Sequence, residues 1–235
     1  MRVHRPMIAA LAALALAGTA AAQTQFQLTS PGNVVSGGVY VGPYRGVLGS
    51  GPGAPTIDVT CVDYFNQAYV APDPRSVWQV NQTTLADGAN LANTRFGSMW
   101  GENALVRYRQ TAWLSWQFAN APTSEWGNIH RTIWNVFTGA APDPANGTWL
   151  AAADAWYAAN GANYDWSTVV VLSDASMTTA AAGACPPWAA SNGSCAKIGG
   201  RQEFITTTPE PATLLMLGSG LLILLGAAVS RGTFA

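Results

Sequence analysis

The sequence predicts an α+β protein: a single β-sandwich or barrel-like domain with a helical insertion, set between an N-terminal signal peptide and a C-terminal transmembrane helix. Three observations lead there. Short apolar segments broken by Gly/Pro turns occupy residues 23 to about 84. Apolar positions at spacings of three and four take over between about 103 and 160, and strand-like runs return after them. A charge-free apolar run stands near each end of the chain.

Residues 1–22 have the three parts of a secretory signal. Arg2, His4 and Arg5 make a positive start, Met7 to Ala17 is apolar, and Thr19-Ala20-Ala21-Ala22 offers small residues for cleavage after Ala22. The mature chain then opens with strands and turns. "FQLTS" leads to a Pro-Gly turn, followed by "GVYVGPY" and the glycine-rich loop "GVLGSGPGAP". In "TIDVTCVDYF", Ile57, Val59 and Cys61 alternate with Asp58, Thr60 and Val62, which predicts a strand with the first three on its inner face. "SVWQVN" is another short strand after the turn "APDP".

Three helices are predicted next. Between Asn103 and Asn120, Leu105, Tyr108, Ala112, Trp116 and Ala119 form one stripe. A second helix starts at Ser124, after Pro122, and stops at Gly139, burying Trp126, Ile129, Ile133 and Phe137 with His130 beside Ile133 and Trp134. A third runs from about Thr148 to Asn160 and ends at Gly161. "STVVVLSD" is then a strong strand and "QEFIT" a weaker one. No internal repeat or long linker interrupts 23–207, which therefore form one domain. Segment 208–235 closes the chain. Within it, Ala212 to Ser230 are nineteen residues without a charge, a helix of about 28 Å that matches the hydrocarbon thickness of a bilayer.

Composition narrows the function classes. Residues 23–208 carry eight basic and eleven acidic side chains, net −3, with no basic stripe, so nucleic acid is not an expected partner. All ten tryptophans lie between the two end segments, where they fill a core or form a stacking surface for sugar rings; the core is favoured. Three cysteines follow the signal peptide into an oxidising compartment. Cys185 and Cys195 flank a Gly/Pro/Ser-rich loop and make the simplest disulfide; Cys61 is left over and potentially reactive. No phosphate loop, zinc spacing or nucleophile elbow is present, and no metal or cofactor is expected.

Pro209-Glu210-Pro211, the apolar span and Arg231 together resemble the C-terminal sorting signal of PEP-CTERM proteins. These are exported bacterial proteins processed by a membrane transpeptidase, the exosortase. The resemblance implies export across the inner membrane, transient anchoring by the 212–230 helix, cleavage near the Pro-Glu-Pro, and delivery to the cell envelope or an exopolysaccharide matrix. Its implied partners are the export machinery, the exosortase, and an exopolysaccharide or surface protein.

Within 38–172, "CVDYF" at 61–65, the helix "RYRQTAWLSWQF" and "IHRTIW" at 129–134 resemble in their order the thioester domains of surface adhesins. In that family a strand cysteine and a helix glutamine condense with loss of ammonia into an internal thioester, an electrophile for a partner's amine. Cys61, Asp63 and Phe65 match the cysteine and its flanking pattern. His130, two residues after Asn128 and four before Trp134, stands where the glutamine is expected. Imidazole has no carboxamide carbon, so the standard bond cannot form between this pair. Gln110 and Gln117 on the preceding helix are the substitutes available.

Cys61 and His130 also suggest a thiol–imidazole dyad, with Asp63 or Asn135 as the orienting group. The plainer alternative makes His130 a hydrogen-bonded core residue. Arg109, flanking Tyr108 with Arg107, is expected to pair with Asp63 or Glu102. These residues lead to an expectation of a non-enzymatic exported surface or matrix protein that binds by ordinary contacts. The alternative is a covalent adhesin or cysteine-dependent enzyme built on Cys61.

Overall fold

In the computed structural model, which describes residues 23–138, 147–180, 185–187, 190–191 and 194–207, six strands close into an antiparallel barrel. They are β1 (Thr24–Ser30), β4 (Tyr44–Leu48), β5 (Thr56–Cys61), β12 (Phe204–Thr207), β7 (Val169–Asp174) and β6 (Val77–Thr84), in that order around the barrel. β2 (Val34–Ser36) and β3 (Val39–Val41) form a side hairpin. Two more two-stranded ribbons, β8 (Thr178–Thr179) with β11 (Lys197–Ile198) and β9 (Ala190–Ser191) with β10 (Ser194–Cys195), lie in the connection to β12. The helices α1 (Gly97–Trp100), α2 (Ala104–Trp116), α3 (Trp126–Thr138) and α4 (Gly147–Asn160) are inserted between β6 and β7.

Two packed regions share the barrel wall. Inside the barrel, Phe26, Leu28, Tyr44, Ile57, Val59, Cys61, Trp78, Val80, Val170, Leu172 and Phe204 form one core. Outside it, Val169, Val171 and Ile205 meet Tyr108, Ala112, Leu114, Ile129, Ile133 and Phe137 of α2 and α3. Because its two faces meet two different cores, β7 is buried at all six positions, and "VVVL" reads as a continuous apolar run. β5 is buried inward at Ile57, Val59 and Cys61, as its alternation predicts.

The helices fall close to their expected bounds, with one shift. The stripe of α2 buries Tyr108 and Ala112, but Phe118 is buried and Ala119 is exposed. The chain tightens into a 3₁₀ turn at Gln117–Ala119. Three residues per turn instead of 3.6 rotates the face by the time residue 118 is reached. "GVYVGPY" is two strands rather than one, split at Gly42, whose φ of 94° takes the chain out of β3 and into β4. "GVL" from the expected glycine loop belongs to β4. There Gly46 is required by packing, since a Cβ would lie 2.4 Å from the Phe26 ring.

None of the nine described tryptophans is exposed. Trp113 stacks on Trp156 and Trp116 on Trp166, each pair with centroids 6.0 Å apart, and Tyr164 packs against Trp166 at 4.7 Å. Cys185 and Cys195 form the disulfide their spacing predicts, and Cys61 is a buried free thiol. Arg109 does not pair with Asp63 or Glu102. It reaches across to the Leu85 carbonyl and to Asp87, at 2.7 Å each from Nη2, in the loop that follows β6. Among the described residues no helix is long and apolar enough to cross a membrane. The signal segment 1–22 and the sorting segment 208–235, with Pro209, Glu210, Pro211, Arg231 and the 212–230 span, lie outside the described residues.

Candidate functional site

Cys61 is the last residue of β5, and its side chain points into the barrel beside Val59. The thiol donates to the carbonyl of Asp63, 3.2 Å away. α3 brings His130 to the same place, one turn before Trp134, with the two rings 4.5 Å apart. His130 does not meet the thiol by hydrogen bond. The Gly42 N–H donates to its Nδ1 at 3.0 Å, so the ring proton sits on Nε2, which donates to the Cys61 carbonyl oxygen at 2.9 Å. Both nitrogens therefore close backbone groups where β3 gives way to β4 and where β5 ends. Gly42 is fixed to this role by its left-handed φ and by Trp126, whose ring would lie 2.3 Å from an added Cβ.

Burial controls the protonation states. It lowers the His130 pKa to about 4, against a smaller opposing effect from the bond to the Cys61 carbonyl. It also pushes the Cys61 thiol far up, and the Asp63 charge adds to the rise. The Trp134 indole N–H favours the thiolate, but only weakly, and it makes no regular hydrogen bond. At neutral pH the site holds a neutral imidazole and a protonated thiol. Gln110 donates to Asp154 and Gln117 to the Trp113 carbonyl, both contacts of α2 with its own surroundings.

A second polar centre lies beside the first. Asp63 and Arg95 form an ion pair at 2.6 Å with both side chains fully buried. Asp63 also accepts from the Phe65 N–H and from Asn66 Nδ2, which fixes the loop after β5. Arg95 donates to the carbonyls of Lys197, Gly199 and Arg201, which fixes the loop before β12. Its own N–H donates to Glu203, 2.6 Å away. Glu203 accepts in addition from Tyr108 Oη at 2.5 Å and Ser173 Oγ at 2.6 Å. Burial raises the pKa of both Asp63 and Glu203, and Arg95 and the hydrogen bonds offset part of that rise.

Sequence reasoning singled out Cys61 and His130, with Asp63 as one orienting group, and the structure brings these three together at the end of β5. It missed Arg95, Glu203, Tyr108 in its polar role, and Gly42. The one visible signal was Glu203, an acid directly before the strand Phe204–Thr207. Among the described residues no group of His, Cys, Asp and Glu is placed to hold a metal ion.

Two hollows flank this region. One, of about 630 Å³, lies between β5, β12 and the end of α2, with Thr56, Asp58, Trp116, Trp126 and Thr207 on its walls. The other, of about 430 Å³, opens over the loop after β5, between Tyr44, Tyr64, Trp134 and Gln202. A closed six-stranded antiparallel barrel with a helical insertion, whose buried histidine bonds the backbone of a buried cysteine, is the class that this fold and site define. No protein-family model, no curated protein and no solved structure matches the chain.

Proposed function

We propose that this is a non-enzymatic exported surface or matrix protein, sorted through its Pro-Glu-Pro tail and associated with the envelope or an exopolysaccharide. The observation that carries the non-enzymatic part is the His130 bridge. An imidazole with Nδ1 accepting from Gly42 and Nε2 donating to the Cys61 carbonyl has no nitrogen left to take the thiol proton. A general base must reach the proton it removes. Asp63, the orienting group of a dyad, is instead committed to Arg95 and to the loop after β5. The sequence supports export and sorting through the two end segments, and low charge with abundant neutral polar residues suits a life outside the cell.

The test is intact mass of the exported chain before and after reduction, methylamine and iodoacetamide. The expected mass corresponds to one disulfide and one free thiol, with Cys61 unlabelled until the chain is denatured. A mass lower by one ammonia that gains methylamine, or native labelling of Cys61 that rises with pH, would establish the covalent or cysteine-dependent alternative. Cell fractionation with and without the residues 209–211 tests sorting; surface delivery that ignores their replacement would remove that part of the reading.

A further inference from the structure

We propose that the cavity over the loop after β5 is a binding site for a neutral sugar residue of a polysaccharide. Its volume of about 430 Å³ falls in the usual range of small-ligand sites, about 300–1,000 Å³. Tyr40 and Phe65 expose their rings at its rim, Tyr64 is half-buried, Tyr44 and Trp134 are buried behind them, and Gln202 adds an amide. No charged side chain lines it, and the polar lining comes from tyrosines and the amides of Asn66, Gln67 and Gln202. An anionic ligand would therefore meet no counter-charge.

The wall thus combines aromatic rings with neutral donors and acceptors. A sugar combines hydroxyls that donate and accept with C–H faces that pack on aromatic rings, so it suits both features of the wall.

Of the three exposed aromatic rings among the described residues, two stand at this mouth, Tyr40 at 49 % and Phe65 at 37 %; the third, Tyr164, packs on Trp116 and Trp166. The walls are held rigid from beneath. Asp63 anchors Phe65 and Asn66, and Arg95 anchors the 197–201 carbonyls that lead into Gln202. Pre-formed walls lower the ordering cost of binding. The proposal rests on the exported reading above, which is what brings the chain to a polysaccharide.

The experiment uses the full chain in a polyoxyethylene detergent, which carries no sugar. Oligosaccharides from dextran, β-glucan, mannan and galactan are titrated by saturation-transfer NMR and tryptophan fluorescence, with alginate as the anionic control. Binding of at least one neutral series and not of alginate is expected. The double variant Tyr40→Ala/Phe65→Ala, at two exposed positions, should weaken it about tenfold, the scale expected for losing aromatic contacts. No binding by any neutral series, equal binding of alginate, or an unchanged Kd in the double variant would overturn the site. Those results leave the surface-protein reading standing, because that reading fails separately, through loss of surface delivery in fractionation.

Discussion

Two buried polar centres sit side by side at one end of the barrel, and they are built on opposite principles. The His130 centre is uncharged: a neutral ring is shared between two backbone groups, next to a protonated thiol. The Arg95 centre is charged: one guanidinium and two carboxylates, Asp63 and Glu203, are held by backbone carbonyls, amides and hydroxyls. The first stitches a helix to two strand ends. The second ties two loops that wall a cavity. Cys61 and His130, residue types that suggest reactivity, here hydrogen-bond to backbone groups, and Arg95, with no motif around it, ties the loops together.

The comparison breaks first at Arg95. Removing one partner of a buried ion pair leaves an uncompensated charge and typically costs about 3–5 kcal/mol. Arg95→Met is therefore expected to cost at least that much in urea unfolding, since Asp63 and three carbonyls lose their donor together. A loss below about 1 kcal/mol would mean that the network is not what holds the two loops.

His130→Ala should cost somewhat less, about 2–4 kcal/mol, because it opens a cavity and leaves the Gly42 N–H and Cys61 carbonyl unpaired. The same residue gives a pH signature. Its folded pKa of about 4 lies below the ordinary 6.5, so the unfolded chain takes up the proton first. Stability contributed by the neutral ring is complete above about pH 6.5 and is lost as pH falls toward 4, by about 3 kcal/mol in all. Asp63 and Glu203 act in the other direction, since carboxyls with raised folded pKa favour the fold as they become protonated. Unfolding of wild type and His130→Asn at pH 7 and 4.5 separates the two: the wild type should lose more of its stability on acidification than the variant does.

How far the sequence carried this account depends on whether a feature leaves a period. β5 and the helices were legible because their buried faces repeat at two and at three-to-four residues. The strand character of "VVVL" was legible because burial on both faces removes every polar residue. The 3₁₀ end of α2 broke that regularity, and Ala119 was misplaced. His130 and Cys61 stood out by residue type, but which atom bonds which backbone group depends on Gly42, eighty-eight residues from His130 in sequence. Arg95 lies in an irregular stretch between a 3₁₀ turn and α1, and its partners come from residues 63 and 197–203, so no local pattern marks it.

The smallest effect is expected at Cys61. Its thiol donates one bond to a carbonyl, which a serine hydroxyl can also make, so Cys61→Ser should cost about 1 kcal/mol, the usual worth of one hydrogen bond or a slight packing change. Full loss of folding would reveal a covalent role for the sulfur.

The central claim, that His130 is a neutral structural bracket rather than a base, is tested most directly by ¹⁵N NMR of its imidazole in the native protein. The account predicts the Nε2–H tautomer, unchanged from pH 8 to 5 and titrating only near pH 4 or on unfolding. A ring that titrates near pH 6.5, or one already cationic at neutral pH beside a thiolate, would contradict it.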